Sequence, residues 1–156
     1  MMSSRIKNEQ NEPRRPLVFV VDDNAQNCEL IVGFLDELAA ELRTFDSGSE
    51  ALDAAASVVP DLVVLDVMMP RLSGYQVCER LRADERTALV PVIMLTALNE
   101  TTDVERGLEA GANDFLVKPV QRLELVMRVR AQLGVRSCGS RVDRAVAGLR
   151  SAFGAA

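Results

Sequence analysis

The chain has 156 residues, 48% of them apolar, enough for the core of one domain plus tails, yet no apolar run nears the ~18 residues of a membrane span and residues 1–16 hold no secretory-type apolar segment. Histidine is absent, which excludes histidine catalysis, histidine metal ligation and a phospho-histidine on this chain; Cys28, Cys78 and Cys138 are too widely spaced for a disulfide framework or zinc site, so a reducing cytoplasm is the expected location. The net charge of −5 divides into +2 over residues 1–15, −10 over 16–133 and +3 over 134–156, and so acidic a body argues against direct nucleic-acid binding by this segment.

Residues 1–15 are polar and read as a disordered arm. Leu17 to Val21 is a short β-branched run that closes on Asp22 and Asp23, the pattern of a buried strand. Asn24 can cap a helix to about Ala39, with Cys28, Ile31, Leu35 and Leu38 at helical spacing. Leu42, Thr44 and Phe45 make a short second strand. Ser47 and Ser49 open an alanine-rich helix through Val58. Leu62 to Leu65 is a third strand, closing on Asp66, and the loop 67–74 leads into a helix carrying Tyr75, Cys78 and Leu81.

Pro91 opens a fourth strand, Val92 to Leu95, closing on Thr96. Val104, Leu108 and Ala112 mark the fourth helix, with Gly111 as its C-cap. Asp114 to Lys118 is the fifth strand. Leu123, Val126, Val129 and Leu133 mark the fifth helix, which Gly134 can end. In the tail 135–156, Val142, Val146, Leu149 and Phe153 are spaced as a heptad seam beside Arg141, Arg144 and Arg150. It reads either as a basic helical extension or linker, able to dimerise, or as a frayed or disordered tail.

Five strand–helix units imply an α/β fold: a five-stranded parallel sheet, doubly wound, in the order 2-1-3-4-5. In such sheets ligands bind outside the carboxyl ends of the strands, where the strand order reverses. Asp22, Asp23, Asp66, Thr96 and Lys118 all stand at those ends. Three clustered carboxylates repel, and a hard divalent ion such as Mg2+, with Mn2+ as a substitute, relieves that repulsion. Asp22 and Asp23 are the better metal pair. Asp66, alone on the central strand, is the better nucleophile for an aspartyl phosphate. Lys118 and Thr96 supply a cation and a hydroxyl for the phosphoryl oxygens.

These residues resemble the receiver domain of bacterial two-component response regulators over about residues 16–134. The resemblance is carried by Val20-Val21-Asp22-Asp23-Asn24, Val64-Leu65-Asp66-Val67-Met68-Met69-Pro70 with Ser73-Gly74, Met94-Leu95-Thr96-Ala97, Gly107 to Phe115, and Val117-Lys118-Pro119. It implies that Asp66 accepts phosphate from a sensor histidine kinase or phosphotransfer protein. It implies Mg2+ held by Asp23, Asp66 and the main-chain carbonyl of Met68, with Asp22 acting mostly through water. It implies a switch in which Thr96 moves toward the phosphoryl group and Phe115 swings inward, altering the face formed by helix four, strand five and helix five. The chain would then be a phosphoacceptor regulator that promotes its own phosphorylation and dephosphorylation, rather than an enzyme. It would be either a single-domain regulator or the receiver piece of a longer one.

The same resemblance implies a phosphorylation-dependent homodimer through that face. Asp103, Glu105 and Arg106, with Arg122, Arg128 and Arg130, are candidates for cross-interface ion pairs. Two rival readings stand beside this one. A Mg-dependent phosphatase of the haloacid-dehalogenase type would need an acid–base Asp two residues after the nucleophile, where this chain has Met68. A non-phosphorylated adaptor on the same fold remains open. A nucleotide-binding module is disfavoured, because neither GxxxxGK[ST] nor GxGxxG is present.

Overall fold

A computed structural model describes residues 14–97 and 101–137. Its strands are β1 (Leu17–Val21), β2 (Glu41–Phe45), β3 (Leu62–Asp66), β4 (Val92–Thr96) and β5 (Asp114–Val117). Its helices are α1 (Ala25–Phe34), α2 (Gly48–Ser57), α3 (Gly74–Ala83), α4 (Thr101–Ala110) and α5 (Arg122–Ser137). The strands form one parallel sheet in the order β2-β1-β3-β4-β5, as expected. Among the described residues, no helix is long and apolar enough to cross a membrane.

Alternation along the strands sorts the core into two layers. Phe19, Val21, Val63, Leu65, Val92 and Met94 face α2, α3 and α4. Val18, Val20, Leu62, Val64, Ile93, Leu95 and Leu116 face α1 and α5. β1, β3 and β4 are buried along their whole length, which explains runs of Val, Ile and Leu where a half-exposed strand would alternate with polar residues. Local caps set where the helices begin. The Asn24 side chain accepts from the backbone of Gln26 and Asn27, and Ser73 and Gln76 form a reciprocal capping box at α3.

Several element details depart from the sequence reading. α1 stops at Phe34; Leu35 is its C-cap and fully buried, while Leu38 lies in the following turn. α5 runs through Gly134 to Ser137, because a glycine with no left-handed turn to make costs a helix only about 1 kcal/mol. Leu108 and Leu123 are exposed. On α4 the buried positions are instead Gly107 and Ala110; on α5 the expected Val126 and Val129 are buried, joined by Leu125 in place of Leu123. Gly111 does follow α4 in the left-handed region, at φ +100°, as a C-cap requires. The arm's first thirteen residues and the tail seam from Val142 to Phe153 lie outside the described residues; Arg14 pairs with Asp61 at 3.3 Å.

Candidate functional site

Parallel pairing puts the ends of β1, β3, β4 and β5 on one edge, at the crevice where the chain turns to opposite faces from β1 and β3. Asp22 and Asp23 follow β1, Asp66 ends β3, Thr96 ends β4 and Lys118 follows β5. Carboxylate oxygens of Asp22, Asp23 and Asp66 all lie within 4.8 Å of one another. The Lys118 ammonium sits 2.8 Å from Asp66 Oδ1 and 3.6 Å from Asp22 Oδ2. Thr96 is buried, and its carbonyl accepts from the Lys118 backbone N–H at 2.7 Å. The sequence-predicted acids and amine are therefore neighbours, and Thr96 is tied to the Lys118 backbone beside them.

Local structure fixes these groups. The Asp22 backbone N–H donates to the Phe45 carbonyl, and one Asp22 oxygen accepts from the Asn24 N–H, which opens the turn into α1. The Val67 N–H donates to the Leu95 carbonyl and thereby extends the β3–β4 ladder past Asp66. The Gly74 N–H returns to the Val67 carbonyl at 2.9 Å. A Cβ at position 74 would lie 2.4 Å from the Asp66 carbonyl oxygen and 2.8 Å from Val67 Cα. Only glycine lets the start of α3 pack against the strand end that carries Asp66.

Electrostatics marks this cluster as costly. Asp22 and Asp66 are 2% and 4% exposed. Burial pushes the Asp66 carboxyl above its ordinary range; the Lys118 hydrogen bond opposes that shift, and the charges of Asp22 and Asp23 reinforce it. Burial works to lower the Lys118 ammonium, but Asp66 and then Asp22 outweigh it and hold the amine above its usual value. Lys118 is thus a fixed cation. Among the described residues Asp22 Oδ2 is buried with no hydrogen-bond donor, since the Lys118 ammonium is beyond that reach.

An orphaned carboxylate oxygen beside two further carboxylates is a donor set that fits a hard, oxygen-loving divalent cation. The Met68 side chain is exposed, two residues beyond Asp66. Cys28 and Cys78 are buried, and burial pushes both thiols up, so they are neutral packing groups rather than nucleophiles.

Residues 18–130 match the response regulator receiver domain family. This chain belongs to that family. Among curated relatives of the receiver domain, the DNA-binding response regulator MtrA of Mycobacterium tuberculosis is 44% identical over 119 residues, covering 76% of this chain and 51% of the relative. The chain thus spans about half the length of the curated relatives it matches. Among solved structures, a response regulator of Chloroflexus aurantiacus has TM-score 0.74 at 36% identity, covering 78% of this chain and 99% of that one. DrrB of Thermotoga maritima, an OmpR/PhoB homologue, has TM-score 0.71 at 32% identity, covering 78% of this chain and 54% of that one.

Two features of the receiver domain were not visible in the sequence pattern. The Phe115 ring lies over α4 where a Cβ on Gly107 would meet it at 2.2 Å, so Gly107 is the notch that seats the aromatic side chain. The signal for it was a glycine in mid-helix, which normally weakens a helix and here makes room. The arginines expected to bridge two copies have partners within the chain. Arg122 and Arg130 both reach Glu37, and Arg128 reaches Asp114. Of the helix-four candidates, Arg106 stacks on Tyr75.

Proposed function

We propose that this receiver domain is a phosphoacceptor switch with Asp66 as the acceptor. The reading rests on one observation: three carboxylates within 4.8 Å, with the Lys118 ammonium 2.8 Å from Asp66. An Asp66 oxygen attacks the phosphorus of a phospho-histidine on a sensor kinase or phosphotransfer protein. An acyl phosphate bond forms, and the bond from phosphorus to the donor's imidazole breaks. The nitrogen leaves with the electron pair and takes up a proton. Asp22, Asp23, Asp66 and the Met68 carbonyl would hold Mg2+, or Mn2+ in its place. When bound, the ion neutralises the carboxylates and the phosphoryl oxygens. Lys118 provides a charge-assisted bond to a second oxygen and Thr96 a hydroxyl to a third.

A groove of about 340 Å³ beside the acceptor supports a helical donor. It is lined by Asn27, Leu30 and Ile31 of α1 and by Pro119 and Val120 after β5, and Leu30 is half exposed. A donor helix laid there brings its histidine to the Asp66 edge. Switching then follows from Thr96 and Phe115. Thr96 is drawn toward the phosphoryl group, and Phe115, already seated on Gly107, reports the position of α4. DrrB's receiver domain is described in a beryllofluoride-activated form, which fits the same chemistry in that protein. The acidic body disfavours nucleic-acid binding by this segment, so DNA contact in MtrA-like proteins would belong to the half that this chain does not match.

Intact mass after incubation with acetyl phosphate and Mg2+ tests the reading. The native chain gains one phosphoryl group, Asp66→Asn gains none, and prior chelation prevents the gain. A native chain that binds Mg2+ but forms no adduct overturns it in favour of an adaptor.

A further inference from the structure

Tyr75, the second residue of α3, is 5% exposed, and a buried phenol needs a partner for its hydroxyl. That partner is on another helix. The Tyr75 hydroxyl donates to the Asp103 backbone carbonyl at 3.3 Å, and the Arg106 guanidinium carbon stands 4.5 Å from the centre of the ring. Residues three apart share a helix face. One side chain therefore grips the first two turns of α4 at two points, a hydrogen bond at Asp103 and a cation–π contact at Arg106. A carbonyl has two lone pairs, so the Asp103 oxygen can accept from Tyr75 and still serve its own helix. Burial pushes the Tyr75 hydroxyl above its ordinary value, reinforced by the Asp103 charge, which keeps it a donor.

The other end of the connection is at the site. Tyr75 is bonded directly to Gly74, whose N–H is fixed to the Val67 carbonyl and whose Cα leaves no room for a Cβ against the Asp66 carbonyl. Asp66 backbone, Gly74, Tyr75 and α4 thus form a continuous path without slack. Lys118 lies directly on the Asp66 carboxylate, the arrangement of an unmodified acceptor.

We propose that Tyr75 is a positioning residue that holds α4 in its unphosphorylated place and so sets the free-energy cost of switching. This rests on the reading of Asp66 as acceptor and Thr96 as the group that moves. Drawing Thr96 toward a phosphoryl group pulls on the start of α4. Moving those first two turns breaks the Tyr75 hydrogen bond and slides Arg106 off the ring. Because coupling is reciprocal, a contact made only in the unswitched state weakens binding of any ligand that favours the switched state.

Tyr75→Phe keeps the ring and removes the hydroxyl. Arg106→Met keeps the stem and removes the cation. Beryllofluoride with Mg2+, titrated against the full chain, mimics the acyl phosphate. Tyr75→Phe binds it about three- to tenfold more tightly than the native chain, the range expected for losing one net hydrogen bond. Arg106→Met shifts it less, in the same direction. Both variants bind Mg2+ alone with native affinity, and amide exchange over residues 101–107 of unliganded Tyr75→Phe is faster than native. A purely structural role would lower melting temperature and leave beryllofluoride affinity unchanged or weaker, and that result overturns the proposal. If the native chain takes up no beryllofluoride, the acceptor reading itself fails and the clasp with it.

Discussion

Asp66 concentrates the energetic conflict of this domain in one residue. Its carboxyl is raised by burial and by two acidic neighbours, so the native state holds the Asp66 proton more readily than the unfolded chain does. Native stability from this group therefore falls as pH rises from the unfolded carboxylate range through the native value. At neutral pH, without metal, the ionised form is a net burden that the Lys118 contact only partly offsets. Asp66→Asn should then melt at a higher temperature than the native chain in chelator at neutral pH. The gap should close as pH is lowered into the carboxylate range, where native Asp66 takes up its proton. A variant that melts lower at neutral pH would mean that the Lys118 pair outweighs the repulsion. The placement of Asp22, Asp23, Thr96 and Lys118 at the strand ends was legible because each closes an apolar run. Tyr75 was legible only as a core residue, since its function depends on a carbonyl 28 positions away.

Elements were legible where burial repeats and obscure where packing selects among equivalent positions. The three central strands read correctly because both of their faces are covered, leaving an apolar run with polar ends. On α4 the leucine at 108 suggested the wrong face. The side against the sheet is kept small, with Gly107 and Ala110, to admit Phe115, and periodicity alone gives the larger side chain more weight than it has. Another inter-element tie was equally hidden. Arg82, near the end of α3, donates to the carbonyls of Gly111 and Val90 and to Asn113 Oδ1 at 2.6–3.0 Å, joining α3, the approach to β4 and the turn after α4. Bonds to a charged donor count for more than neutral ones. Arg82→Ala should cost about 2 kcal/mol by denaturant unfolding, the order expected when partly buried carbonyls lose such a donor. Because these contacts lie before β4 and β5, at the opposite end of the sheet from Asp66, acetyl phosphate labelling should stay native. Loss of labelling in a folded variant would show that the two ends are coupled.

At the scale of the whole molecule, topology does what no single element could. The 2-1-3-4-5 order sends the chain to opposite faces after β1 and β3, and the resulting crevice collects acids separated by more than forty residues. The fold stabilises that collection with two apolar layers and leaves the charge conflict for a ligand to resolve. A cation that binds only the folded state adds stability as RT ln(1 + [L]/Kd), about 2.7 kcal/mol at one hundred times Kd. For a domain of this size that corresponds to about 2–4 °C in melting temperature per kcal/mol. Saturating Mg2+ should therefore raise the melting temperature by several degrees over chelator, and Mn2+ should do the same. Sodium chloride at matched ionic strength should not, since screening reaches a buried cluster weakly. Asp23→Asn, which changes the exposed member of the trio and leaves the buried pair in place, should keep the fold and lose most of the Mg2+ response. An equal rise with sodium chloride, or a full Mg2+ response in Asp23→Asn, would place the stabilising ion somewhere other than the crevice between β1 and β3.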